Sequence, residues 1–206
     1  MTLKLILDLD DVILNLALPL LEYWDVGIAT EDQYPREFGW DIRGAINHLG
    51  AKSGQPHKYP VPPAKQFWAH MSLNWWAARK PHDGALGFVE WLETGPFDIF
   101  ISTAHVNSPH AAAKFDWVDK WLPQYASKTF VGRDKTAFAG LGAILIDDRK
   151  KNCDDFDAAG GSSVLFPRPW NPAYRSDAVC PYWVAATKLN RVITSLGCQP
   201  IPMETS

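Results

Sequence analysis

The three cysteines in 206 residues, Cys153, Cys180 and Cys198, form no CxxC pair and leave an odd count. That spacing fits neither a disulfide framework nor a zinc ribbon, and a reducing setting is expected. Basic excess is missing too, since 20 Lys and Arg face 23 Asp and Glu for a net charge of -3. Chains that grip long nucleic acid carry a basic footprint, so an extended nucleic-acid partner is not expected. No apolar run reaches bilayer-spanning length. The first strand-like run opens at Leu3 and leaves no room for a charged, apolar and cleavable leader. A soluble, cytoplasmic protein is the expectation. "GLGAIL" lacks the last glycine of a dinucleotide fingerprint and leads into a strand rather than a helix.

What is present is a core: 47% of the residues are hydrophobic, enough for one domain with an elaboration. Apolar runs ending in small or acidic residues alternate with longer helical patterns, which predicts an α/β fold with a Rossmann-like, mostly parallel sheet flanked by helices. The expected strands are Leu3 to Leu9, Asp98 to Ser102, Thr129 to Val131, Ala143 to Ile146 and Ser163 to Phe166. Helices are expected from Pro81, from Ser108 (as N-cap, with Pro109 next) and from Asp148 to a stop at Gly160. Between the first strand and Phe97 lies a long stretch rich in Trp, Pro and Gly, including the loop-like "LGAKSGQPHKYPVPP". It predicts a small helical cap inserted after the first strand, with hinges near Leu14 to Pro19 and Ala78 to Gly84. The expected division is a catalytic core at 1–14 and 82–175, a cap at 15–81, and a helix and tail at 176–206. That last helix, about Pro181 to Ser195, either covers the sheet or mediates a homodimer.

The chemistry is concentrated where strands end. In "LILDLDDVIL", Asp8 and Asp10 are two apart, so in an extended chain they point to one side, and they repel unless a proton or a hard cation is shared. A turn with a helix cap would account for one or two of these carboxylates. An EF-hand is excluded by Ile13 and Pro19, which occupy its glycine and bidentate glutamate positions. "AILIDDRKKN" is a second strand ending in acids, Asp147 and Asp148, and parallel strands bring their ends to the same rim. "DIFISTAH" ends a third in hydroxyls, Ser102 and Thr103, and "VGRDKT" puts Lys135 beyond a fourth. Carboxylates, a hydroxyl and an amine on one rim suit phosphoryl chemistry on Mg²⁺.

These residues resemble, in order, the four motifs of the haloacid dehalogenase superfamily of phosphatases: Asp8-x-Asp10, Thr103, Lys135, and the pair Asp147-Asp148. The wording of "FISTAH", "KFDWVDKWL", "GRDKT", "LIDDR" and "VLF" is similar to the 5'(3')-deoxyribonucleotidases within it. Asp11 departs from that family's usual Gly, Asn15 from a further acid, and Ala104-His105 from Ser-Pro. The resemblance implies a sheet with a cap and Mg²⁺ as cofactor. Asp8 is then the nucleophile and Asp10 the acid and base, with Thr103, Ala104 and Lys135 around the transferring phosphoryl. The metal set implied is Asp8, the Asp10 carbonyl and Asp148, with Asp147 orienting Asp148 or a metal-bound water. An acid at Asp10 suits alkoxide leaving groups and favours a phosphatase over a dehalogenase.

Ten tryptophans are a heavy load, and Trp40, Phe67, Trp68, Trp75 and Trp76 fall in the expected cap. Such rings stack flat bases, though rings in a small cap also form its core. Together they point to a nucleoside monophosphate. The alternatives are another small phosphoester, a nucleic-acid 3'-phosphate, or a non-catalytic Mg²⁺-binding interaction domain. Lys114, on an amphipathic helix, is expected on a solvated face. Arg133 and Arg149 are phosphate ligands or surface ion pairs, and His105 is at best a rim residue.

Overall fold

A computed structural model describes residues 2–52, 60–175 and 180–203. Five parallel strands form one sheet in the order β3-β2-β1-β4-β5. They are β1 Leu3–Leu7, β2 Phe97–Thr103, β3 Thr129–Val131, β4 Ala143–Asp147 and β5 Ser162–Leu165. Leu7 aligns with Ile101 on one side and Ile146 on the other. A central parallel strand is covered on both faces, which is why β1 and β4 read as unbroken apolar runs rather than alternating ones; Leu5, Ile6, Leu7, Ile144, Leu145 and Ile146 have no exposure. The chain winds outward from β1 in opposite directions, so the crevice beyond the carboxyl ends of β1 and β4 is the topological switch point, where such sheets bind ligands.

Between β1 and β2 come α1 Ala17–Tyr23, α2 Ile42–Gly50, α3 Ala64–Ala69, α4 Leu73–Ala77 and α5 Ala85–Glu93. The remaining helices are α6 Ser108–Trp121, α7 Lys150–Ala158 and α8 Pro181–Ser195. Among the described residues, the stretch expected to form the cap contains helices and turns and no strand beyond single bridge residues. The centre of the loop-like stretch, 53–59, lies outside the described residues, and its first two residues close α2. The two expected hinges are clasped together: Asn15 N–H donates to the Lys80 carbonyl at 2.9 Å, and His82 N–H to that of Ile13 at 2.8 Å. Buried Leu20, Ile46 and Phe67 of the inserted stretch join the same apolar cluster as Leu5 and Ile146.

Helix ends follow local chemistry. The N-cap of α6 is Asn107, whose side chain accepts from His110 N–H at 2.8 Å, one residue before the expected Ser108. Beyond α7 the chain turns at Gly160 with φ +89°, as its glycine requires. The helix α8 lies against β5, burying Tyr182, Ala185, Ala186, Leu189 and Ile193, and Tyr182 Oη donates to the Val12 carbonyl at 2.7 Å.

Asp11 holds a backbone conformation that few residues other than glycine adopt. It keeps the left-handed backbone, φ 56°, that glycine adopts freely, and its fully buried side chain accepts from Leu16 and Ala17 N–H, each at 2.9 Å. Asp tolerates this region better than most residues, and the carboxylate here satisfies two donors at the start of α1. His82 Nε2 lies 3.5 Å from the same oxygen. Asp11→Ala keeps the strained backbone and orphans both donors, so it should cost about 2–3 kcal/mol. Asp11→Gly, relieved of strain, should cost about 1 kcal/mol less than that. Urea unfolding of the two variants checks the order, and equal losses would show that backbone strain is not felt at this position.

Candidate active site

The carboxyl end of β1 delivers two acids to the crevice and turns the third away. Beyond β1 a tight turn closes with Asp11 N–H on the Leu14 carbonyl at 2.7 Å and Leu14 N–H on that of Leu9 at 2.8 Å. Asp8 and Asp10 face a cleft of about 260 Å³, while Asp11 is sealed beneath α1. The cleft is also lined by Asp148, Lys135, Ala104, Trp40 and Trp68, with Arg133, Arg149, His105, His110 and Asn152 around them.

At its floor Lys135 Nζ sits between two carboxylates, 2.6 Å from Asp8 Oδ1 and 2.5 Å from Asp147 Oδ2. All three residues are buried, which makes this lysine the neutralising partner of a dense acidic group. Burial alone would lower its pKa, yet the two carboxylates raise it above the ordinary lysine value. Asp8 is pushed up to about 6 by burial and by Asp147, against the pull of Lys135.

Asp147 has no free oxygen. Besides Lys135, it accepts from Arg149 N–H at 2.8 Å and from Asn152 Nδ2 at 3.1 and 2.9 Å. Its contacts therefore hold the lysine and the start of α7, where orientation of Asp148 or of a metal-bound water was expected. Asp148 is different: Oδ2 accepts from Trp170 Nε1 at 2.5 Å, while Oδ1 is buried without a partner among the described residues. Burial and the carboxylates of Asp147, Asp8 and Asp11 raise the Asp148 pKa well above the ordinary range. Oxygens of Asp8, Asp147 and Asp148 lie within 4.8 Å of one another. An orphaned carboxylate oxygen in a group of buried acids is what a hard divalent cation satisfies, so the residues fit magnesium.

Asp10, at the mouth, is contacted by Lys114 Nζ and lies 3.5 Å from Thr103 Oγ1. Lys114 corrects the sequence expectation, because it is buried rather than solvated, with burial pushing its pKa down to about 7. The signal was present: His110, Ala113, Lys114, Trp117 and Val118 form the buried stripe of α6 at helical spacing. Thr103 is buried, with its hydroxyl turned to Asp10, and does not itself line the cleft.

The aromatic expectations divide. Trp40 and Trp68 reach the cleft. Phe67, Trp75 and Trp76 do not line it, and packing accounts for each. Phe67 is fully buried and stacked on Trp24 at 5.4 Å, and Trp76 is buried and stacked on His110 at 3.8 Å. Trp75 is half-buried beneath the Arg79 guanidinium, 4.1 Å from its ring centre. Arg133 and Arg149 make no ion pair among the described residues, and Arg149 lies 5.5 Å over the Trp40 ring. Sequence reasoning missed Asn152, five residues after Asp147, and Trp170 and Asn171, which hold Asp148 from a distant part of the chain.

A parallel sheet wound outward from β1, with acids after β1 and β4 at the switch point, defines a class of α/β folds that gather strand-end carboxylates at one crevice. Within it, this is the fold of the haloacid dehalogenase-like hydrolases. A HAD family hydrolase from Deinococcus radiodurans R1, solved with bound phosphate and sodium, superposes with a TM-score of 0.54 at 15% identity, covering 95% of this chain and 96% of that one. A haloacid dehalogenase-like family hydrolase from Xanthomonas campestris gives 0.51 at 12% identity, over 95% and 98%. A dehalogenase with an intermediate complex gives 0.51 at 10%, over 85% and 89%. No family model and no curated protein matches the chain. Among the described residues no helix is long and apolar enough to cross a membrane.

Proposed function

We propose that the chain is a magnesium-dependent phosphatase of small phosphomonoesters, acting through an aspartyl-phosphate on Asp8, and that its substrate is a nucleoside monophosphate. The observation that carries the phosphatase reading is the buried set of Asp8, Lys135 and Asp148 opening into one cleft, with Asp147 behind Lys135 and Asp148 Oδ1 left unpartnered. Asp8, Asp148 and the Asp10 carbonyl would hold magnesium, which would supply the positive charge that lets a carboxylate approach a phosphoryl dianion.

The chain's own residues do the rest. Lys135 fixes the Asp8 carboxylate and adds positive charge where the transferring oxygens collect, and Asp147 keeps that lysine in place. Asp8 attacks phosphorus in line, breaking the bond to the leaving oxygen, and Asp10 gives that oxygen its proton. Asp10, now a base, then takes a proton from the water that attacks the aspartyl-phosphate. Thr103 and Lys114 hold Asp10 for both transfers. An acid here serves an alkoxide leaving group and is superfluous for a halide, which favours phosphatase over dehalogenase.

Support for a nucleotide comes from Trp40 and Trp68 in the cleft wall, since aromatic rings at a cleft suit a flat base. The test is phosphate release from 5'- and 3'-nucleoside monophosphates, sugar phosphates and a 3'-phosphorylated oligonucleotide, each with Mg²⁺ and with excess EDTA. Magnesium-dependent release confined to nucleotides is expected. Release from sugar phosphates alone would remove the nucleotide assignment, and silence throughout from folded, Mg²⁺-binding protein would remove the enzyme. Trp68→Ala should cut kcat/KM for the preferred nucleotide by about 10-fold, the scale of one lost base stack. Turnover of a small alkyl phosphate should stay within about 2-fold of wild type, since such a substrate has no flat ring to stack. Equal losses on both would show that Trp68 is structural.

A further inference from the structure

We propose that Trp170 is a positioning residue for the metal, aiming Asp148 and tying its metal affinity to the seating of the inserted segment against the cleft. The proposal rests on the metal-dependent reading above and goes beyond it, because Trp170 lies outside the acidic motif, 22 positions after Asp148. The indole N–H donates to Asp148 Oδ2 at 2.5 Å, and both residues are buried. With one oxygen pinned, the carboxylate cannot turn, and Oδ1 is the atom left without a partner. Asn171 Nδ2 anchors the same corner, donating to the Asp148 carbonyl at 2.7 Å and to that of Phe166 at 2.8 Å. A partner that fixes the orientation of a metal-binding carboxylate from behind commonly sets how well that carboxylate binds the ion, and the Trp170 N–H is placed to do so.

The other side of the Trp170 ring faces the inserted segment. Trp40 packs on it at 5.2 Å and Tyr34 meets it edge-on at 5.4 Å. Tyr34 Oη donates to the Gly39 carbonyl at 2.7 Å, so residues 34 to 40 form a clamped loop resting on one indole. Trp40 also lines the cleft. One ring thus touches the metal carboxylate through its N–H and the cleft wall through its face.

Titration calorimetry of the purified chain with MgCl₂ and with MnCl₂ tests this without recourse to turnover. Trp170→Phe keeps a ring and loses the donor, and metal affinity should fall about 10- to 100-fold, the usual effect of removing a partner that orients a metal ligand. Trp40→Leu keeps the donor and loosens the ring, and affinity should fall by a smaller factor, about 3-fold. In the wild-type indole ¹H–¹⁵N spectrum the Trp170 resonance should shift on adding Mg²⁺, a readout that survives even if the Phe variant fails to fold. Wild-type affinity in a folded Trp170→Phe protein, or a Trp170 resonance indifferent to Mg²⁺, would overturn the proposal while leaving a metal-dependent phosphatase intact. A wild-type chain that binds neither ion would overturn both.

Discussion

Asp8→Asn should abolish phosphate release, by at least about 10³-fold in kcat, while the protein stays folded. The amide is nearly isosteric and retains an acceptor oxygen for Lys135, so the 2.6 Å contact has a successor. It cannot attack phosphorus, and no other acid takes over. Asp147 is saturated by Lys135, Arg149 N–H and Asn152, while Asp148 is held by Trp170. Stability should be unchanged or higher in EDTA, because Asp8 is a buried carboxylate repelled by Asp147. Single-turnover quench with labelled substrate should trap a hydroxylamine-labile phosphoprotein in the wild type and none in the variant. Substantial turnover by Asp8→Asn would end the covalent mechanism, whatever the substrate.

How far the site was legible follows from how local each signal was. Strands were readable because a buried parallel strand is an unbroken apolar run, and the end of β4 fell within one residue of its expected place; β1 stops at Leu7, two residues before the expected Leu9, because Asp8 breaks the apolar run and the chain turns directly after it. Lys135 was reached through its place beyond β3, and Lys114 was not, although its helical spacing put it on the buried stripe of α6. A lysine on an amphipathic helix is expected in solvent, and the partner that buries this one, Asp10, lies 104 positions away. The same long range hid Trp170. The aromatics failed differently: ring content was visible, but whether a ring packs inward or lines a cleft depends on three short helices. Phe67 and Trp76 were drawn into the core while Trp68, one residue from Phe67, faced the cleft.

Lys135→Met should be the most destabilising single change in the site, costing about 3–5 kcal/mol at pH 7 in EDTA, because it leaves Asp8 and Asp147 buried without their cation. The loss should depend on pH in a definite direction. Asp8 is already pushed up to about 6 with Lys135 present, and without it the folded-state pKa can only rise further. A carboxyl raised above its unfolded value of 3.8 is most favourable to the fold below that value, and its contribution is lost as pH rises through the folded pKa. The deficit of Lys135→Met relative to wild type should therefore be smallest near pH 4–5 and grow towards pH 8. Adding Asp8→Asn should remove part of that slope, since the titrating group is gone. Urea midpoints at four pH values for wild type, the single variant and the double variant measure all of this. A deficit that is flat with pH would mean that Lys135 contributes through packing rather than as the counter-charge of the nucleophile, and would leave Asp8 without the electrostatic support the proposed chemistry requires.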